Sequence, residues 1–333
     1  MSEPATPPPT NPPPPPPPAS ATADPSAASA ASVGYRVTHV TTLRYAEAVP
    51  LSQHRVWLTP RDLPGRQACT DHAVQVDPPP RHYRTRTDAF GNVAGGFSLD
   101  VPHRRLTVTA RSTVAVTTPD ASAARYDASP AWEAVRDGVA GRWPWRTVRP
   151  FTAVSPRVTP DDAMTAYASL SFTPGRPVLR AAAELNRRLH ADLNYRPGVT
   201  AVDTPPAEAF ARREGVCQDF AHVMLAMLRG LGLPARYVSG YLRNERPPSA
   251  DGGTVGDALV GADASHAWVG VYAGDGPGGG WVDFDPTNDK AADADHIVTA
   301  WGRDYADVTP LRGVIVGGGR QTVDVAVTVT PTT

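Results

Sequence analysis

The chain has 333 residues, a formal net charge of −1 from 32 basic and 33 acidic side chains, and two cysteines. Balanced charge without a basic block argues against a nucleic-acid partner. The sequence contains no run of about 18 apolar residues, so we expect no membrane-spanning segment. The length is sufficient for two domains beside a terminal arm.

Residues 1–33 consist mainly of proline, alanine, serine and threonine. Such a composition cannot bury a hydrophobic core and therefore predicts a disordered Pro/Ala-rich arm. The arm lacks the basic start and apolar segment of a signal peptide. Two cysteines far apart in sequence are typical of free thiols in a reducing compartment, so we expect a cytoplasmic protein.

The next part of the chain has β-strand patterns. Residues 35–45 alternate β-branched and aromatic side chains with polar ones, and the same period recurs at 73–76 and 105–116. Turn residues at Asp88–Asn92 separate two of these segments. Short strands at this spacing predict a β-sandwich-like N-terminal domain over residues 34–118.

A connecting segment over residues 119–158, with a short helix near Trp132–Val139, leads into a region of helical patterns. Thr159 precedes Pro160 and two acidic residues, which predicts a helix capped by Thr159. The patterns predict further helices at 178–193, 206–213 and from Cys217 onwards, and strands at 235–243, 265–273, 280–285 and 323–329. Residues 159–333, with the C-terminal strand included, are therefore predicted to form an α+β domain with helices packed on an antiparallel sheet.

One cysteine stands where a helix is predicted to begin. Gly215 permits a tight turn before Cys217, and the apolar run that follows is long enough to be buried. The unpaired N–H groups and partial positive charge of a helix start favour a thiolate at Cys217. The alternative is an inert packing cysteine, which is common near helix starts.

Two predicted strands supply the remaining groups of a nucleophilic site. His266 lies near the start of one strand and Asp285 near the end of the next, so we expect them to be directly opposed across the ladder. A cysteine, a histidine and an aspartate in this order suit a nucleophile, a base and an orienting carboxylate. Asp283 is a rival for the last role, because it lies on the same face of its strand as Asp285.

Other polar residues near these positions are interpreted as structural. His222 lies about 140° around the helix from Cys217 and is predicted to pack rather than to act as the base. Asp219 is predicted to accept hydrogen bonds from the first helical turn. No ligand pair of metal-site spacing accompanies Cys217 and His266, so we predict no metal and no cofactor. Residues 244–263 are predicted to form a mobile polar loop before His266.

Four segments together resemble the core of the transglutaminase-like superfamily: 215–222, 234–241, 266–268 and 281–287. The resemblance extends over roughly residues 160–290, and the β-rich region before it is similar to that of the bacterial branch of the superfamily. It implies a papain/transglutaminase-like core in which Cys217 is the nucleophile and His266 the general base and acid. Asp285 is implied as the orienting carboxylate, because Asp285-Pro286-Thr287 matches the Asp-x-Thr pattern of the family.

The resemblance implies a cysteine-dependent acyl transfer through a thioester on Cys217. The expected substrate is a peptide or protein amide, with water as the acceptor in hydrolysis or an amine in transamidation. The sequence does not distinguish a transglutaminase from an amidase or a protease, and it gives no oligomeric state. The alternative is a non-catalytic peptide- or protein-binding module that uses the same cleft. The presence of Cys217, His266 and Asp285 together favours the enzyme.

Overall fold

The computed structural model describes residues 32–139, 147–244, 259–261, 265–275 and 279–332. Nearly all of the predicted arm, and most of the predicted loop at 244–263, lie outside these ranges. Within them, no helix has both the length and the apolar character needed to cross a membrane.

Residues that alternate in polarity form the strands of the N-terminal part. These strands are β1 (Ser32–Val49), β2 (Leu51–Val56), β3 (Gln67–Asp77), β4 (Tyr83–Thr87), β5 (Val93–Leu99) and β6 (His103–Thr117). Buried and exposed side chains alternate along β2, as expected for a strand with one face in the core. The β-rich N-terminal region predicted from the sequence is confirmed.

Helices and strands mix after residue 118. The elements are α1 (Ala123–Ala128), α2 (Trp132–Val139), a 3₁₀ turn (Arg149–Thr152), α3 (Asp162–Ser169), α4 (Val178–Asp192), β7 (Asn194–Tyr195), α5 (Pro206–Arg212), β8 (Glu214–Gly215), α6 (Cys217–Gly230), β9 (Ala235–Leu242), β10 (His266–Tyr272), β11 (Trp281–Asp285), β12 (Lys290–Ala291), β13 (His296–Gly302), α7 (Tyr305–Val308), β14 (Leu311–Val316) and β15 (Gln321–Thr332).

The core of this mixed region is one sheet and the helix that packs on it. Strands β9–β13 form an antiparallel sheet in the spatial order β12-β11-β10-β9-β13. Every residue of β9 and β10 is buried, because both faces of these central strands are covered. Helix α6 is buried continuously from Asp219 to Arg229 and contacts α3, α4, α5 and the sheet. A helix that is apolar all round needs such enclosure.

The predicted C-terminal strand forms, but not in the predicted domain. Strand β15 pairs with β1 over twelve positions, from Gly34–Thr332 to Tyr45–Gln321. It completes a sheet of order β15-β1-β6-β3, and β14 completes a second sheet of order β14-β2-β5-β4. The prediction that this strand belongs to the α+β domain of residues 159–333 was wrong. Alternation of polarity indicates a half-buried strand, but it does not indicate which strand is its partner.

The cap of α3 also differs from the prediction. Helix α3 begins at Asp162, and the carboxylate of Asp161 accepts hydrogen bonds from the N–H groups of Ala163 at 2.9 Å and Met164 at 3.1 Å. Asp161, rather than Thr159, is therefore the cap, because its carboxylate satisfies two free donors of the first turn.

Side-chain amides of the N-terminal part close the free edge of the core sheet at β13. Gln67 accepts a hydrogen bond from the Val298 N–H and donates to the Val298 carbonyl, both at 2.8 Å. Asn92 makes the same pair with Trp301, accepting at 3.0 Å and donating at 2.8 Å. The two amides bind backbone groups of β13 that a further strand would bind if the sheet continued past this edge.

Candidate active site

The backbone before α6 delivers Cys217 at a helix start with free donors. Cys217 is the first residue of α6, and the extended Val216 is its cap residue. The carboxylate of Asp219 accepts hydrogen bonds from the Val216 N–H at 2.8 Å and the Thr200 hydroxyl at 2.6 Å. Its role is structural, but the backbone donor is the cap residue and not the first helical turn that was predicted. Among the described residues, the N–H groups of Cys217 and Gln218 donate to no backbone carbonyl. These two donors are free to bind an anion.

His266 opens strand β10 and is 1% exposed. Its Nε2 lies 2.9 Å from Asp285 Oδ2. Its Nδ1 has no hydrogen-bond partner of regular geometry in the described parts of the chain. Burial lowers the pKa of His266, but the negative charge of Asp285, and then the charge and hydrogen bonding of the Cys217 side chain, raise this pKa to about 10. The imidazole is therefore placed between a carboxylate and a thiol.

Asp285 is fully buried and accepts several hydrogen bonds. Its Oδ1 accepts from the backbone N–H groups of Thr287 at 2.9 Å and Asn288 at 3.3 Å, and its Oδ2 accepts from the Asn288 side-chain amide at 2.7 Å. Burial raises the pKa of this carboxyl, but His266 and the hydrogen bond from His296 hold it well below its usual range. Asp285 is therefore an ionised group held in one orientation.

The relation between His266 and Asp285 differs from the predicted one. The described ladder of β10 and β11 runs from Val269–Phe284 to Tyr272–Trp281. One step beyond Val269–Phe284 places Asp285 opposite Trp268, so His266 reaches Asp285 diagonally rather than from the directly opposed position. The long imidazole spans that diagonal.

Asp283 has other partners. Its carboxylate lies 2.7 Å from Arg66 and 3.5 Å from Arg236, and the side chain is 1% exposed. Burial raises its pKa, but the two arginines dominate and lower it. The structure thus brings Asp285, and not Asp283, to His266.

A second histidine at the site was missed in the sequence. His296, the first residue of β13, is fully buried, with Nε2 3.3 Å from Asp285 Oδ2 and Nδ1 2.9 Å from Asp293 Oδ1. Burial lowers its pKa, but the two carboxylates raise it above the usual value. The only local sequence signal for this role is the three-residue spacing from Asp293 to His296. The contact of His296 with Asp285 arises when β13 pairs with β9, which the local sequence does not show.

Two tyrosines lie near Cys217. Tyr237 and Tyr305 stand 6.2 Å apart between ring centroids, and burial followed by the charge of Cys217 raises the pKa of each phenol. His222 accepts a hydrogen bond from the Tyr305 N–H at 3.2 Å. Burial and the charges of two arginines lower the pKa of His222 to about 3. His222 is thus a neutral packing residue, as predicted.

In the described ranges, no three or more histidine, cysteine, aspartate or glutamate side chains are grouped so that they could hold a metal ion. Cys69 and Cys217 are both free thiols. The described site contains one thiol, two imidazoles and the carboxylates that contact them.

Comparisons with known proteins agree with this architecture. Residues 35–115 match the bacterial transglutaminase-like N-terminal region, and residues 168–286 match the transglutaminase-like superfamily. An uncharacterized protein of Mycobacterium tuberculosis is 42% identical over 304 residues, covering 89% of this chain and 92% of that protein. An uncharacterized Mycobacterium leprae protein is 36% identical over 299 residues, covering 89% and 98%. The chain belongs to the transglutaminase-like superfamily, and it carries the bacterial N-terminal region before the core.

Two further matches bear on the core. A Pseudomonas aeruginosa protein-glutamine gamma-glutamyltransferase is 34% identical over 114 residues, which cover 34% of this chain and 16% of that protein. A solved Cytophaga hutchinsonii structure, provisionally described as a cysteine protease, has a TM-score of 0.70 at 19% identity and covers 90% of this chain and 91% of its own. At that identity the likeness shows the fold. The predicted α+β class, with a transglutaminase/papain-like core after a β-rich region, is confirmed.

Proposed function

We propose that the protein is a cysteine-dependent acyltransferase or amide hydrolase that acts on carboxamide or peptide-like amide groups through a thioester on Cys217. One observation carries the proposal: the buried His266 binds Asp285 through Nε2, while among the described residues its Nδ1 has no other hydrogen-bond partner of regular geometry and the Cys217 side chain helps to raise its pKa. A base oriented by a carboxylate and free on its other nitrogen suits proton transfer from a nucleophile.

The first half-reaction forms the thioester. His266 Nδ1 takes the proton of the Cys217 thiol, and the sulfur bonds to the amide carbon. The resulting oxyanion lies at the start of α6, where the N–H groups of Cys217 and Gln218 are the candidate donors. The carbon–nitrogen bond then breaks, and His266 returns its proton to the departing ammonia or amine.

The second half-reaction releases the acyl group. His266 accepts a proton from water or from an acceptor amine, whose oxygen or nitrogen bonds to the thioester carbon. The carbon–sulfur bond breaks, and Cys217 leaves as a thiolate that is protonated by His266. Water yields an acid, and an amine yields a new amide. Family membership and the match to a gamma-glutamyltransferase support this reaction class.

The pH dependence of iodoacetamide labelling at each cysteine, read by peptide mass spectrometry, tests the proposal. We expect Cys217 to label rapidly at about pH 6 as a thiolate paired with imidazolium, and to lose this reactivity in His266→Ala. Cys69 is the internal control, because burial, followed by the charge of Asp62, raises its pKa. Equal labelling of both cysteines at pH 6 would contradict the proposal. Ammonia release and amine incorporation on glutamine peptides then separate hydrolysis from transamidation.

A further inference from the structure

One cavity lies on the outer face of the N-terminal sheet that contains β2, β4, β5 and β14. It has a volume of about 660 Å³ and is lined by four arginines: Arg55, Arg81, Arg84 and Arg312. Asp100 is the one acidic residue in its lining, and that carboxylate pairs with Arg81 at 3.2 Å. We call this cavity the arginine cleft. The cleft is positively charged, whereas the chain as a whole has a net charge of −1.

Strand register aligns three of these arginines in one row. Arg312 of β14 is opposite Arg55 of β2, Arg55 is opposite Gly96 of β5, and Gly96 is opposite Arg84 of β4. The row therefore crosses all four strands of the sheet. Gly96 has no side chain, so a gap remains between the side chains of Arg55 and Arg84. The three arginines are exposed.

The arrangement of these positive charges in one row destabilises the sheet unless a negative charge lies nearby. Like charges directly opposite on neighbouring strands destabilise a sheet, and Arg312 and Arg55 are such a pair. Arg312 is also held in place, since it donates to the Ala306 carbonyl at 3.0 Å and lies over the Trp57 ring at 4.8 Å. Among the described residues, no acidic side chain forms an ion pair with Arg55 or Arg84. An anion in the cleft would supply the missing charge.

Arg312 links one end of the arginine row to the surroundings of Cys217. It donates a hydrogen bond to the carbonyl of Ala306, the residue that follows Tyr305, and it also lines a second cavity of about 390 Å³ whose lining includes Ser265 and Tyr305. Ser265 directly precedes His266, and Tyr305 is one of the phenols influenced by the charge of Cys217. The arginine row therefore ends beside residues that neighbour the candidate active site.

We propose that the arginine cleft binds an acidic segment of a polypeptide substrate whose reacting amide reaches Cys217. The proposal rests on the proposed function and narrows its substrate class to polypeptides with glutamate or aspartate near the reacting residue. Guanidinium groups bind carboxylates with two parallel hydrogen bonds. The row is one line across four strands about 4.8 Å apart, which suits a short run of carboxylates better than a long phosphate backbone.

Peptide binding to the full-length Cys217→Ala protein tests this proposal without requiring catalysis. The probes are a fluorescein-labelled glutamine peptide flanked by several glutamates, and the same peptide with those glutamates replaced by glutamine. We expect the acidic peptide to bind more tightly and to weaken with salt. Arg55→Gln combined with Arg84→Gln should weaken acidic-peptide binding about tenfold, which corresponds to about 1.4 kcal/mol.

Arg105→Gln is the matched control, because Arg105 is exposed on β6 of the other sheet. It should leave the affinity unchanged, and none of these arginine variants should alter iodoacetamide labelling of Cys217 when Cys217 is retained. Equal binding of both peptides, or equal effects of all the arginine variants, would overturn the proposal. So would tighter binding of a single-stranded oligonucleotide than of the acidic peptide. If the acidic peptide does not bind, the cleft proposal fails, and the iodoacetamide labelling of Cys217 still tests the proposed function separately.

Discussion

Asp285 links the two histidines of the site, and its charge is the basis of the proposed chemistry. It is held by backbone and side-chain donors from the turn that follows β11. A carboxylate fixed in this way stabilises an imidazolium at His266, whereas an uncharged amide does not. The role of Asp285 therefore depends on its charge and not only on its shape.

The first prediction separates the charge of Asp285 from its shape. Asp285→Asn should reduce iodoacetamide labelling of Cys217 at pH 6 and turnover of a glutamine peptide by about 10²-fold or more, since the matching change in serine proteases costs about 10⁴. Both rates are measured on protein whose folding has been checked by circular dichroism. Retention of wild-type rates would show that Asp285 does not support His266.

Asp283→Asn is the control for this substitution, because it changes the same atoms two residues away. It leaves Arg66 and Arg236 without their carboxylate in a buried position, and breaking a buried pair costs about 3–5 kcal/mol. We expect a lower free energy of unfolding in urea with little change in labelling of Cys217. A large loss of labelling in the folded variant would move the orienting role to Asp283.

The second prediction concerns His296 and the pH dependence of stability. Its pKa is raised in the folded protein, so its contribution is fully present below the ordinary value of about 6.5 and is lost as the pH rises through the folded value. The free energy of unfolding should therefore fall above pH 6.5, and it should fall less steeply in His296→Gln. Urea unfolding between pH 6 and 9 measures both slopes. Identical slopes would show that His296 is not charged by its two carboxylates.

Among the elements, α6 combines the features that local sequence predicts best. Gly215, the cysteine and the apolar run after it lie close together in sequence, so they were sufficient to predict a helix starting at Cys217. The strands that carry His266 and Asp285 were predicted for the same reason. Their diagonal register was not, because it depends on how two strands pair. His296 was missed, and β15 was assigned to the wrong domain, because their partners are distant in sequence.

The turn into α6 leads to the third prediction. A methyl group on Gly215 would lie 2.7 Å from Asp219 Cβ and Oδ2, closer than van der Waals contact permits. Gly215→Ala should displace Asp219 from the Val216 N–H, cost about 1 kcal/mol of stability through the lost cap, and slow the labelling of Cys217. Gly96→Ala is the control, since its methyl group would meet its nearest atom at 3.8 Å. Equal labelling of Cys217 in both variants would show that the turn tolerates a side chain.

At the scale of the whole molecule, the sandwich and the core are joined by polar groups that neither part satisfies alone. Gln67 and Asn92 close the edge of β13, and Arg66 reaches from the N-terminal part into the core to pair with Asp283. Strands β14 and β15 then return the chain to the sandwich. The arginine cleft therefore has a defined position relative to Cys217, which a substrate bound at both places requires.

Gln67 provides the last prediction, because its amide serves both the sandwich and β13. In Gln67→Leu the buried Val298 N–H loses its acceptor, and an unsatisfied buried donor costs about 1–3 kcal/mol. Hydrogen exchange followed by mass spectrometry should show faster exchange in the β13 peptide, with a matching loss of stability in urea. Gln75→Leu, on the same strand but exposed, should change neither. If exchange in β13 stayed at the wild-type rate, the edge of the core sheet would be protected by its own packing, and the sandwich would not be needed to hold His296 beside Asp285.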